Sequence, residues 1–228
     1  MQDRGMDWEA FRLSLELGAV TLLVLIPTAL LIGRWLALRS FRGKGFVEAL
    51  VALPLLLPPT VIGFYLLQSF GRGSALGDGF AALTGHVLAF SFEGLVLASV
   101  LVNLPFAVQP IQRSWEAIPA NLREAAASCG MSPLRAFARV ELPLAWPGIV
   151  TAIALTFAHT LGEFGVVLMV GGSIPGETRT LAISIYDRVQ AFDDHSAGVM
   201  AATLLAFSLV ALGLTNSLAR RGVRRDAR

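Results

Sequence analysis

The chain has 228 residues, of which 55% are hydrophobic and 15% charged, with a formal net charge of +2. A soluble domain is nearer a quarter charged, so this composition excludes an ordinary soluble protein, and a mean hydropathy of +0.67 points to the membrane. The single cysteine, Cys129, excludes an intrachain disulfide framework and a Cys-only metal site, and the scattered basic residues form no patch that would suit nucleic acid.

Apolar residues come in five blocks, roughly 13–33, 47–70, 92–112, 147–171 and 197–219. Each is close to the ~20 residues that cross a hydrocarbon core. The expectation is an all-α polytopic membrane protein, one transmembrane domain over 1–228 with about five transmembrane helices. The first block is too long for a signal-peptide apolar region and arginines follow it, so it reads as an uncleaved span.

The polar segments between the blocks separate by charge. Arg34, Arg39, Arg42, Lys44, Arg113, Arg123, Arg135, Arg139, Arg220, Arg221, Arg224, Arg225 and Arg228 fall in alternate segments, and are thirteen of the eighteen basic residues. Arg4, Arg12, Arg72, Arg179 and Arg188 occupy the others. Short loops rich in Lys and Arg stay in the cytoplasm. The N-terminus is therefore expected outside, the C-terminus inside, and 113–146 becomes the largest cytoplasmic loop.

In chain order, the first span carries Arg12 and Glu16 one turn apart and a kink-prone Pro27. The second reads "LPLLLPPTVIGFYLL", interrupted by Pro54, Pro58, Pro59 and Gly63. Backbone carbonyls freed at such depth persist only inside protein or along a water-filled path, so Pro58 and Pro59 mark either a translocation pathway or a simple bend. Ser91 is placed to cap the third span, with Glu93 in its first turn. Asn103 and Pro105 in that span must face protein.

The loop 113–146 is expected to form a helix–turn–helix elbow. "LREAAASC" holds good helix formers, Gly130 suits the position after a helix end, and Ser132-Pro133 restarts the chain as cap and first helical residue. "LRAFARVEL" then makes a second helix, ending at Pro143. Small Ala125, Ala126 and Ala127 on the first arm admit close approach by another protein. An ordinary amphipathic surface loop fits the same residues.

In the fourth span Gly148, Ala152, Thr156, His159, Thr160 and Glu163 share one helical face. This small, polar stripe suits either a pathway lining or close packing, with His159 and Glu163 as a buried pair. The outer segment "IPGETRT" sets Glu177 and Arg179 beside a Pro-Gly turn, where Arg179 can meet a passing anion or pair with Glu177. The fifth span offers a seam of small residues, Ala197, Gly198, Ala201, Ala202 and Ala206, suited to helix packing.

Enzyme chemistry finds no foothold. "HTLGE" lacks the second histidine of a zinc motif, and no serine sits in G-x-S-x-G. The phosphate-binding G-x-x-x-x-G-K-[ST] is absent too: Lys44, the lone lysine, lies in "RGKGF". No metal and no cofactor are expected in this chain.

Glu124-Ala125-Ala126, three residues, Gly130, nine residues, Val140, one residue and Leu142-Pro143 together resemble the cytoplasmic signature of ABC importer permeases, which usually has isoleucine at the place of Val140. The resemblance implies that the elbow docks on a separate ATP-binding subunit, where ATP and Mg would bind. "LPLLLPPTVIGFYLL", "LGEFG" and "IPGETRT" narrow it, over nearly the whole chain, to the molybdate branch of the molybdate/tungstate/sulfate importer group. That group commonly carries arginine where this chain has His159. The resemblance implies a homodimer in a bacterial plasma membrane with one pathway between the copies and two ATP-binding subunits beneath. An external or periplasmic molybdate-binding protein would deliver the cargo, and import would proceed by alternating access. A sulfate/thiosulfate permease is the alternative, and an ATP-independent channel a more distant one. Pathway residues are expected at Pro58, Pro59, Asn103, Thr156, His159, Thr160 and Glu163, and an outer gate at Glu177 and Arg179.

Overall fold

The computed structural model describes residues 5–225, and these fold into helices without any strand. Arg4 and Arg228, counted in the charge bias above, lie outside the described residues, as do the side chains of Arg220, Arg221, Arg224 and Arg225.

Four helical stretches are long and apolar enough to cross a membrane: α1 (Trp8–Leu38), a stretch later in the chain over Phe92–Glu116, a third over Pro133–Gly162, and a last one within Asp194–Gly213. The expected second span is not a single rod. It is a bent pair, α2 (Lys44–Leu56) and α3 (Pro59–Phe70), meeting at 107°. Leu57 and Pro58 are extended at the junction (ψ 141° and 137°). The residue before a proline is pushed out of the helical region, and two successive prolines supply no N–H to bridge the gap. The arms are about 20 and 18 Å long at 1.5 Å per residue, each short of a hydrocarbon core about 30 Å thick.

A short helix, α4 (Ala75–Thr84), follows, and Ser91 then caps α5 (Phe92–Glu116) as expected, its hydroxyl accepting the Gly94 N–H at 3.1 Å. α5 is the central post. α1 packs against it, and so does the fourth spanning helix, α8 (Leu142–Gly162). Glycines set the spacing: a Cβ added at Gly33 would lie 2.7 Å from Ile111, and one at Gly148 2.6 Å from the Pro110 carbonyl. Lipid tails are as apolar as leucine, so such close van der Waals fit holds spans together. Leu25, Leu36, Val108, Ile111, Trp115 and Ile149 fill the shared core.

The fourth expected span, 147–171, is also rearranged. Its helix starts earlier, runs without interruption from the elbow, and ends at Gly162. Glu163 turns extended (ψ 119°), and α9 (Gly165–Gly171) follows as a separate short helix. Two glycines at the break make helix continuation weak, and the Glu163 carboxylate accepts the Val166 N–H at 2.9 Å, closing the new first turn. α10 (Leu181–Gln190) and α11 (Asp194–Arg225) complete the chain. Of the small-residue seam of α11, Ala197 alone is buried within this chain. Gly198, Ala201, Ala202 and Ala206 are exposed, and Ala197, Met200 and Phe207 make contacts.

Among the described residues, polar contacts gather at two separate places. Arg34 meets Glu141, and Lys44 meets Glu116, at the elbow end. At the other end Ser184 donates to Asp7, and the Leu181 N–H to Ser14.

Candidate functional site

The elbow is built from local signals. α6 (Ala120–Ser128) ends where Gly130 adopts φ +75°. The Gly130 N–H reaches the Ala127 carbonyl at 2.9 Å, and the Met131 N–H reaches Ala126 at 3.1 Å. This doubly closed end satisfies carbonyls a helix otherwise leaves bare. Ser132 is extended and Pro133 opens α7 (Pro133–Ala136), as the sequence indicates, although the serine hydroxyl makes no capping bond.

Pro143 does not stop the second arm. A π-helical segment, Phe137–Glu141, follows α7, and the Leu142 N–H bonds five residues back to Phe137. Pro143 lacks the N–H that an α-helix would need at that point. The widened turn shifts the ladder so that the proline falls at the tolerated start of α8. The second arm is therefore continuous with a spanning helix. Glu124, Ala125 and Pro143 are exposed, Val140 and Leu142 are half-buried, and Ala126 is buried. The elbow presents a small-residue face with a carboxylate at its edge.

The same segment hides a cluster that no local signal marked. Glu141 is 4% exposed. Arg34 Nε donates to its Oε2 at 2.7 Å and Nη2 to its Oε1 at 3.2 Å, while Trp115 Nε1 donates to Oε2 at 3.2 Å.

Nearer the middle of the bundle, a cavity of about 200 Å³ opens at the broken span, lined by Pro54, Pro59, Phe106, His159 and Glu163 among others. Asn103, fully buried, organises its wall. Its amide N–H groups go to the Ser99 carbonyl at 2.8 Å and Thr160 Oγ1 at 3.1 Å. Its Oδ1 is thereby turned to His159 Nδ1, 3.1 Å away. That ring nitrogen must carry the proton. His159 Nε2 then faces Glu163 Oε2 at 3.7 Å, and its ring stacks on Phe106 at 4.2 Å.

The polar stripe of α8 thus divides. His159 and Glu163 border the cavity, whereas Thr156 and Thr160 are buried at 0% and 2% exposure. Thr160 is bonded inward, donating to the Thr156 carbonyl and accepting from Asn103. Neither threonine lines open space, which corrects the expectation for both. Gly148 and Ala152 belong to the packed core with them. Pro58 is extended at the break, and Pro59 reaches the cavity.

At the opposite end Arg179 does not pair with Glu177. Its Nε donates to Ser173 at 3.0 Å and lies 3.7 Å from Asp187, and Ser173 in turn donates to Asp187 at 2.8 Å. This triad ties the 172–180 loop to α10. Glu177 instead lines a cavity of about 320 Å³ with Glu16, His86 and Glu93. Three carboxylates and one imidazole there give an acidic rim, and His86 pairs with Glu93 at 3.6 Å.

A broken second span, a central helix post and an elbow running into a spanning helix define a transport-subunit architecture, and the chain belongs to the family described as binding-protein-dependent transport system inner membrane component, whose model matches residues 29–224. Within that family it is 47% identical over 206 residues to the molybdenum transport system permease protein ModB of Azotobacter vinelandii, covering 90% of this chain and 91% of that protein. The corresponding Escherichia coli K12 protein is 34% identical, with 97% of each chain covered. The sulfate transport system permease protein CysT of Salmonella typhimurium is 33% identical over 84% of this chain and 69% of its own. Among solved structures, a bacterial alginate-importing ABC transporter superposes with a TM-score of 0.74 at 16% identity, covering 94% of this chain and 79% of that one. The MetNI methionine ABC transporter gives 0.63 at 20% identity, covering 97% and 94%. These structural likenesses establish the fold.

Proposed function

We propose that this chain is the transmembrane permease subunit of an ATP-driven importer of molybdate, with tungstate as a second cargo. The observation that carries the reading is the 47% identity to a molybdenum transport permease along 90% of the chain. The elbow supplies its mechanism. Two copies of the chain would enclose one pathway in the plasma membrane, with the elbow end in the cytoplasm and the N-terminus outside. Two ATP-binding subunits would dock on the Glu124–Ala126 face and on Gly130, Val140, Leu142 and Pro143, and would hold the ATP and Mg that this chain has no phosphate loop to bind.

His159, Glu163, Asn103 and the Pro58–Pro59 break would border the pathway. The cavity wall there is mostly apolar, with His159 and Glu163 as its polar side chains and no arginine or lysine, which suits passage rather than retention. A dianion held tightly in a low-dielectric site would be costly to desolvate and slow to leave. Selection would therefore fall to the external binding protein, docking near the rim that carries Glu177. ATP binding would close the ATPase pair, the elbows would move with it and open the pathway outward, and hydrolysis would return it inward.

The test is reconstitution of the permease with its cognate ATPase and binding protein in proteoliposomes, followed by ATP-dependent uptake of molybdate, tungstate and sulfate. Molybdate uptake that excess sulfate leaves intact is the expected result. Sulfate uptake that excess molybdate cannot displace would reassign the cargo, and uptake without ATP would remove the importer reading.

A further inference from the structure

The elbow is thinly anchored. Of its residues α6 buries Ala126 alone, α7 buries none, and the π-helical turn buries Glu141. Beyond the continuous backbone into α8, a displacement of the elbow reaches α1 and α5 through side-chain contacts, and the polar one is the joint at Glu141.

That joint draws on four elements. Arg34 comes from the last turns of α1, Trp115 from the last turns of α5, and Phe137 from the opening of the π turn. Arg34 lies over the Phe137 ring at 5.4 Å, and Phe137 stacks on Trp115 with planes 12° apart. Both carboxylate oxygens of Glu141 are engaged, Oε1 by Arg34 and Oε2 by Arg34 and Trp115 together. Arg123, on the first elbow arm, adds a second positive charge acting on Glu141 and has a buried Nη1 with no partner.

The chemistry selects position over stability. A buried ion pair contributes little net stability compared with apolar residues of the same volume. A two-point arginine–carboxylate contact, however, holds only within a narrow range of distance and angle, whereas aliphatic side chains slide past one another. We infer that Glu141 is a positioning residue for energy coupling, the point at which motion of the elbow is passed to α1 through Arg34 and to α5 through Trp115. The inference rests on the permease reading above. When the elbow is pushed, α1 follows because losing Arg34 would leave the buried carboxylate without its counter-charge, and α5 follows through the Trp115 N–H on the same oxygen.

The experiment compares ATP hydrolysed per molybdate imported in proteoliposomes holding the full complex. Glu141→Gln keeps the shape and removes the charge, Arg34→Lys keeps a charge and removes the fork, and Trp115→Phe keeps the ring and removes the N–H. Glu141→Gln is expected to raise the ATP cost per anion at least about fivefold, the lower end of coupling between sites, at an unchanged amount of assembled complex. Arg34→Lys should follow it, with Trp115→Phe smaller in the same direction. Arg12→Gln, which breaks an exposed pair at the far end, should leave the ratio at the wild-type value. A purely structural role would lower hydrolysis and uptake together and leave the ratio fixed. A fixed ratio in all variants that assemble would overturn the inference, and so would failure of all three to assemble while Arg12→Gln assembles. Absence of ATP-dependent uptake by the wild-type complex would instead remove the permease reading.

Discussion

Gly130 offers a perturbation whose size can be worked out from geometry alone. Its φ is +75°, and a Cβ added there meets no atom within 4 Å. A substituted side chain therefore clashes with nothing, and the whole effect comes from the backbone. An L-residue in the left-handed region costs about 1–2 kcal/mol, and β-branching places valine at or above the upper limit. At about 2 kcal/mol the population of correctly closed elbows falls about 30-fold, since 1.4 kcal/mol is a factor of ten. The chain escapes by unwinding the last turn of α6, which breaks the Gly130–Ala127 and Met131–Ala126 hydrogen bonds and moves the Glu124–Ala126 face. Gly130→Asn is the control, because asparagine tolerates this conformation. Co-purification of the ATP-binding subunit with tagged permease, together with ATP-dependent uptake, should rank the variants Gly, Asn, Ala, Val. Two results would refute the reasoning: a valine variant that assembles and transports normally, or an asparagine variant as damaged as valine. The second would mean that the position is read by contact rather than by conformation.

Three further outcomes are expected. An impermeant thiol reagent applied to intact cells should label Ala75→Cys and Glu177→Cys, both exposed at one end, and spare the exposed Cys129 at the other; labelling of Cys129 would reverse the topology. In a Cys129→Ser background, a permeant thiol reagent should modify His159→Cys while Thr156→Cys and Thr160→Cys stay protected, and equal reactivity at all three would contradict their burial. Gly148→Val should lower stability by about 1–3 kcal/mol through overpacking against Pro110 and Ser114. Gly162→Ala, with open space around it, should not, and a wild-type melting profile for Gly148→Val would mean that α8 does not press on α5 there.

What the sequence discloses follows from how far each signal reaches. Hydropathy located the membrane-crossing regions because every span must satisfy lipid on its own. Ser91, Gly130 and Ser132-Pro133 were legible because capping and turn chemistry act within four residues. The α8 stripe was grouped correctly by its 100° spacing, yet periodicity fixes the phase of a face and not the neighbour it meets. Thr160 meets Asn103, 57 residues away, instead of open space. The helix break at Glu163 had a local trace in Gly162 and Gly165, masked by the apolar run beyond them. Arg34 and Glu141 are separated by 107 positions, and their only trace was a lone arginine at the end of one span facing a lone glutamate at the start of another. Arg179 was misplaced for a similar reason, since Asp187 competes with the nearer Glu177 only once α10 folds back.

The π-helical turn at Phe137–Glu141 takes up one extra residue between the elbow and α8. One residue fewer there would restore ordinary α geometry and leave α8 close to its present phase, because the wide turn absorbs its extra residue locally. Gly148 would keep its seat against α5 and the wall holding His159 its direction, so the change would fall on the turn itself, where Glu141 meets Arg34 and Trp115. Five residues thus act as a keyway. The segment can absorb changes of side chain on its exposed edge, at Ala138 and Arg139, and a single deletion that removes the wide turn, but an insertion that the turn cannot take up would rotate α8 by about 100° and set the gear train of elbow and span out of mesh.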